Sequence, residues 1–190
     1  MAEINIQKYT RRASRKKKEL GRFLVRLGKK PFKGLLKQVN IAEKETWKEI
    51  NCMECANCCK KMTPTYNRKD ILRIAKHFKM TYKQFFDKWL IIDKNKDIIN
   101  ESIPCQFLGK DNLCTIYDIR PLDCADFPHF NRRDFRYQAA EKTYTQNMVY
   151  CPATLVLVEK LKEQISAWEL ADTLTPVLPA IHYIAVTAQR

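Results

Sequence analysis

At 190 residues the chain has the length of one domain with a hydrophobic core of its own, so it has no need of disulfides to fold. No stretch approaches the roughly 18 apolar residues of a membrane span, and the basic start leads only to Phe23-Leu24-Val25, far short of the roughly 7–15 apolar residues of a signal peptide. The net charge of +14 is uneven: residues 1–39 carry 13 Lys or Arg against Glu3 and Glu19, a net of +11, whereas residues 40–190 carry 22 basic and 19 acidic side chains, a net of +3.

In chain order, the basic segment comes first. Arg11-Arg12 and Arg15-Lys16-Lys17-Lys18 lead into Leu20, Phe23, Leu24 and Leu27 at helical spacing, which predicts a basic amphipathic helix broken near Gly28 and Pro31. Such a helix suits an anionic membrane surface, RNA or a ribosome, or an acidic partner protein or assembly, through residues 1–39; the other reading is a solvated arm whose apolar stripe packs on the chain's own domain. Ile41 to Ile50 reads as a short helix with Trp47 and Ile50 in the core, delivering the chain to Cys52-Met-Glu-Cys55-Ala-Asn-Cys58-Cys59.

Asn67 can cap a helix over Arg68–Lys79 with Ile71, Leu72, Ile74, Ala75 and Phe78 as its buried stripe, and His77 lies beside that stripe. Thr81 and Gln84 form a capping box opening a second helix through Phe85, Phe86, Trp89 and Leu90. Ile91-Ile92 and Ile98-Ile99 predict a strand pair, and Gly109-Lys-Asp-Asn112 predicts a second hairpin that sets Cys105 and Cys114 on neighbouring strands. Pro121 starts a short helix holding Cys124 and ending near Pro128; Asn131 to Gln146 reads as loop or edge strand. Cys151-Pro152 opens a last helix with Leu155, Val158, Leu161 and Ile165 on one face, followed by a tail interrupted at Pro176 and Pro179.

The eight cysteines, Cys52, Cys55, Cys58, Cys59, Cys105, Cys114, Cys124 and Cys151, are all of this type in the chain. With no route to an oxidising compartment, the chain reads as cytoplasmic, where thiols stay reduced and such a set serves metal rather than disulfides. Thiolates are soft, anionic ligands for zinc and for iron–sulfur clusters. Cys52, Cys55 and Cys58 repeat the two-residue gap of the ligand run in bacterial [4Fe–4S] ferredoxins. Adjacent side chains diverge, so Cys58 and Cys59 serve one small site poorly; eight cysteines make either two sites or one site with spare thiols.

Two catalytic patterns are not met. Radical S-adenosylmethionine enzymes have a three-residue first gap where this chain has two, and His77, His129 and His182 lack the H-x-E context of a zinc deaminase. His129 is the histidine placed to join the metal site or its surroundings. Arg120 either neutralises the centre or pairs with Asp123 or Asp126, Tyr117 reads as a core residue, and Lys60 and Lys61 can offset thiolate charge or remain a surface pair.

Cys52-x2-Cys55-x2-Cys58-Cys59, Pro104-Cys105, Cys114, Tyr117-Asp-Ile-Arg120-Pro121-Leu-Asp-Cys124-Ala-Asp-Phe127-Pro128 and Cys151-Pro152 together resemble the motif of the YkgJ-type cysteine-cluster family over residues 50–165. The resemblance implies a zinc- or iron-chelating domain, often described as an Fe–S cluster protein. A similar cluster occurs in flagellin lysine-N-methylase, but this chain has only four glycines and no glycine-rich strand-turn-helix for a methyl-donor cofactor.

These readings predict a small α+β, metal-stapled domain over residues 41–168, with several helices and short β-hairpins, between a basic helical arm (1–40) and a tail (169–190). Its expected function is to hold a [4Fe–4S] cluster or zinc in a structural or redox centre. The alternative is a metal-stabilised module docked on RNA, a ribosome or another assembly through its arm.

Overall fold

The computed structural model describes residues 4–130 and 135–174, with side chains as far as residue 166. Helix α1 (Ile6–Lys29) starts at Asn5, whose side-chain oxygen accepts from the Lys8 amide at 2.9 Å. Its stripe of Leu20, Phe23, Leu24 and Leu27 is buried as the spacing predicts, and Ala13 joins it in the largest core. That core is completed by α2 (Leu35–Glu49), α8 (Phe135–Ala140), α9 (Thr143–Tyr150) and α10 (Pro152–Leu174), which contribute Val39, Phe135, Tyr144, Leu157 and Leu161 among others. The basic helix is therefore packed against the helices that follow the cysteine segment. Part of its charge is used there, since the buried carboxylate of Glu159 on α10 receives Arg12 and Lys16.

Gly28 lies where α1 packs closely against α8. A Cβ at this position would stand 2.5 Å from the Arg136 carbonyl oxygen and 2.7 Å from the Ala140 amide nitrogen, both backbone atoms that move only with their helix. Gly28→Ala is expected to lower stability by about 1–3 kcal/mol, overpacking outweighing the gain of about 1 kcal/mol in helix propensity. A urea midpoint equal to or above wild type would contradict this close approach.

A second core lies around α5 (Arg68–His77), α6 (Tyr82–Trp89) and an antiparallel pair, β1 (Leu90–Ile92) with β2 (Ile98–Asn100), in the register Leu90↔Asn100, Ile91↔Ile99, Ile92↔Ile98. Both helices open on complete capping boxes, Asn67 with Asp70 and Thr81 with Gln84. The rings of Phe78, Phe85, Trp89 and Phe107 form its centre, with centroids of Phe85 and Trp89 5.0 Å apart. Helices dominate, with one two-stranded sheet among the described residues, and the class is α+β.

Four details differ from expectation. The helix expected from Ile41 starts at Leu35, and Trp47 is 39% exposed although Ile50 is buried. Leu72 lies on the solvent side of α5 at 46% exposure. The hairpin at residues 105–117 is reduced to one bridge, Leu108↔Cys114, because Asp111 accepts the Leu113 amide at 3.0 Å and Asn112 turns left-handed at φ 64°. Residues 135–146, read as loop or edge strand, instead belong to α8 and to the start of α9 because Phe135, Ala139, Tyr144 and Met148 give α1 an apolar partner. The rest of that expectation, over residues 131–134, and the tail beyond residue 174 lie outside the described residues. Among the described residues no helix is long and apolar enough to cross a membrane.

Candidate metal centre

The cysteine run folds as two short helical turns, α3 (Cys52–Cys55) and α4 (Asn57–Lys61), joined by Ala56 in a left-handed conformation at φ 49°. Asn51 starts the first turn by accepting the Met53 amide at 3.0 Å. Two hydrogen bonds tie the run to distant chain. Asn57 Nδ2 donates to the Tyr150 carbonyl at 2.6 Å, one residue before Cys151, and the Cys105 amide donates to the Cys59 carbonyl at 2.8 Å.

Cys124 arrives on α7 (Leu122–Asp126), whose start is held by the second core. The buried Asp70 carboxylate accepts the Leu122 amide at 3.2 Å and receives Arg73 at 2.8 Å, and Arg73 donates onward to the Arg120 carbonyl at 2.9 Å. The Asp123 carboxylate accepts the Thr65 amide at 3.0 Å, fastening α7 to the strand side.

The eight cysteines are free thiols that surround two adjoining cavities. The larger, about 100 Å³, is lined by Cys52, Cys58, Cys59, Cys105, Cys114 and Cys124, with Met53, Met62, Tyr66, Phe107 and Arg120 in its wall. The smaller, about 20 Å³, is lined by Cys52, Cys55, Cys58 and Cys151, with Ile50, Phe127 and Tyr150. In this conformation no three of the described His, Cys, Asp or Glu side chains close on a single point that could hold an ion. The thiols are gathered without forming a finished coordination shell.

Burial sets their acidity. It pushes the Cys52 thiol up to about 11, with neighbouring thiols adding to the effect, and raises Cys55, Cys105, Cys114, Cys124 and Cys151 as well. Cys58 and Cys59 also act on each other, with sulfurs in hydrogen-bond contact at 3.9 Å. That contact lowers the pKa of Cys59 and raises that of Cys58. A cluster of thiols kept neutral by burial ionises when a cation enters, because a coordinating thiol is deprotonated outright. Arg120 supplies fixed positive charge, favouring the thiolates of Cys52 and Cys114, and Lys60 does the same for Cys55 and Cys59. The donor set of soft, reduced sulfur suits zinc and iron–sulfur alike.

Residues 51–152, more than half of the chain, match the model of the CxxCxxCC family, described as "Putative zinc- or iron-chelating domain". The chain belongs to the CxxCxxCC family. The match spans all eight cysteines of the CxxCxxCC domain, from the run at Cys52 to Cys151. No curated protein and no solved structure matches the chain.

Two side chains take one of the alternative places the sequence left open in this CxxCxxCC domain. The Arg120 guanidinium stacks 3.8 Å from the Tyr117 ring centre and donates to the Tyr117 carbonyl at 2.5 Å, rather than pairing with Asp123 or Asp126. His129 approaches Asp123 at 3.3 Å, its carbonyl accepts the Tyr144 hydroxyl at 2.9 Å, and it lies outside the lining of both thiol cavities. His77 packs edge-on against Phe78, away from the centre. Asn51, Asn57, Asp70 and Arg73 were not singled out from the sequence; only the Asn51-x-Met53 and Asn67-x-x-Asp70 spacings carry a local capping signal.

Proposed function

We propose that all eight cysteines of this metal-chelating domain are thiolate ligands and that the resident centre is iron–sulfur, in a structural or redox role, with zinc the competing occupant. The observation that carries the reading is that thiols from four distant parts of the chain line two touching cavities in reduced form. The triple spacing Cys52, Cys55, Cys58, with Cys151-Pro152 brought beside it, favours iron–sulfur. What such a centre supplies when bound is either a crosslink between the two cores or a site for an electron. The chain's own part is to hold the sulfurs together, to exclude water with Phe107, Phe127 and Met62, and to offset negative charge with Arg120 and Lys60.

Anaerobic purification followed by elemental analysis and an absorption spectrum tests this. A brown protein with iron and acid-labile sulfide is the expected result, and Cys55→Ser or Cys58→Ser is expected to lower metal content and thermal stability together. A colourless protein with stoichiometric zinc would replace iron by zinc. Full metal retention at unchanged stability in both variants would remove those residues from the ligand set.

A further inference from the structure

Resting on the reading of the cysteines as metal ligands, the geometry points to two separate four-thiolate centres that divide between Cys58 and Cys59. One is a knuckle site of Cys52, Cys55, Cys58 and Cys151; the other is a cavity site of Cys59, Cys105, Cys114 and Cys124. Each takes a thiophilic ion or cluster, zinc or iron.

Three observations lead to this division. Cys55 and Cys151 line the smaller cavity alone, and Cys59, Cys105, Cys114 and Cys124 line the larger one alone. Only Cys52 and Cys58 border both, and assigning them to the smaller cavity gives four ligands to each, the number a closed zinc site or a cubane takes. The backbone makes the same cut. The bond from Asn57 to the Tyr150 carbonyl holds the knuckle against Cys151, while the bond from the Cys105 amide to the Cys59 carbonyl holds Cys59 against Cys105.

The Cys58 and Cys59 sulfurs, 3.9 Å apart, mark where the two sites adjoin. Arg120 in the wall of the larger cavity places a fixed positive charge beside two centres that would otherwise repel as dianions.

The test is a metal count on the full-length chain produced in zinc-supplemented medium and purified reduced. Wild type is expected to carry two zinc ions per chain. Cys151→Ser and Cys124→Ser are each expected to lose one ion and keep the other, and the double variant to lose both. One ion per chain in wild type overturns the division even if a variant does not fold. So does a folded single variant, judged by circular dichroism, that loses both ions or keeps both. Absence of both zinc and iron from wild type would instead overturn the metal-ligand reading itself.

Discussion

A chelator added to the reduced protein is expected to unfold the cysteine segment while leaving the main helical core standing. Site binding is folding energy, on the order of 10–16 kcal/mol apparent for structural zinc, comparable to the whole stability of a domain at about 5–15 kcal/mol. The loss should be local, because the large core of α1, α2, α8, α9 and α10 contains no cysteine. Cys105 and Cys114, by contrast, pack on the second core, and Cys151 packs with Ile50, Ala153 and Val156 at the start of α10.

The backbone between β2 and α7 is mostly turns, held by scattered bonds such as Gly109 to Leu113 at 2.8 Å and Thr115 to Phe107 at 2.9 Å. Such segments open first. Hydrogen exchange should show protection lost over residues 51–64 and 101–128 and retained in α1 and α10. Unchanged protection in the cysteine segment after complete metal removal would show that metal contributes nothing to its fold.

The parts of this architecture that sequence makes visible are those whose signals are local. The capping residues Asn67 and Thr81 start their helices as expected because the bonds they make reach only three residues along the chain. The stripe of α1 is legible for the same reason, but its partners Phe135 and Tyr144 lie more than a hundred residues away, and no spacing announces that meeting. Helix α9 was hidden by propensity: Thr143, Tyr144, Thr145 and Asn147 are weak helix formers, and packing of Tyr144 and Met148 in the core overrides them.

Among the site residues, the cysteine pattern of a metal-chelating domain is legible from residue type and spacing. Which of the cysteines meet is not, since it depends on Asn57 finding the Tyr150 carbonyl and Cys105 finding the Cys59 carbonyl across the fold. For Arg120, the sequence left open an ion pair with one of two nearby aspartates and a charge set against the thiols. The turn at Tyr117–Ile119 brings the guanidinium over the Tyr117 ring, leaving its charge facing the thiols.

Phe85→Ala is expected to weaken metal retention without touching a ligand. Phe85 is fully buried, 5.0 Å from Trp89 and 6.1 Å from Phe107 between ring centres, and its removal leaves a cavity costing about 3–5 kcal/mol. Phe107 lies in sequence between Cys105 and Cys114, its carbonyl accepts both the amide and the hydroxyl of Thr115, and its ring forms part of the wall of the larger cavity. Loss of its aromatic support lets the turn carrying both thiols open more often, so metal should pass to a competing chelator faster than from wild type. Phe86 is the control: it is half-buried and stacked on Tyr82 at the edge of the same helix, so Phe86→Ala should cost less than half as much and leave the transfer rate near wild type. Equal losses from the two variants, or a Phe85→Ala protein that is destabilised yet releases metal no faster, would show that the aromatic core and the thiol cavity are not coupled.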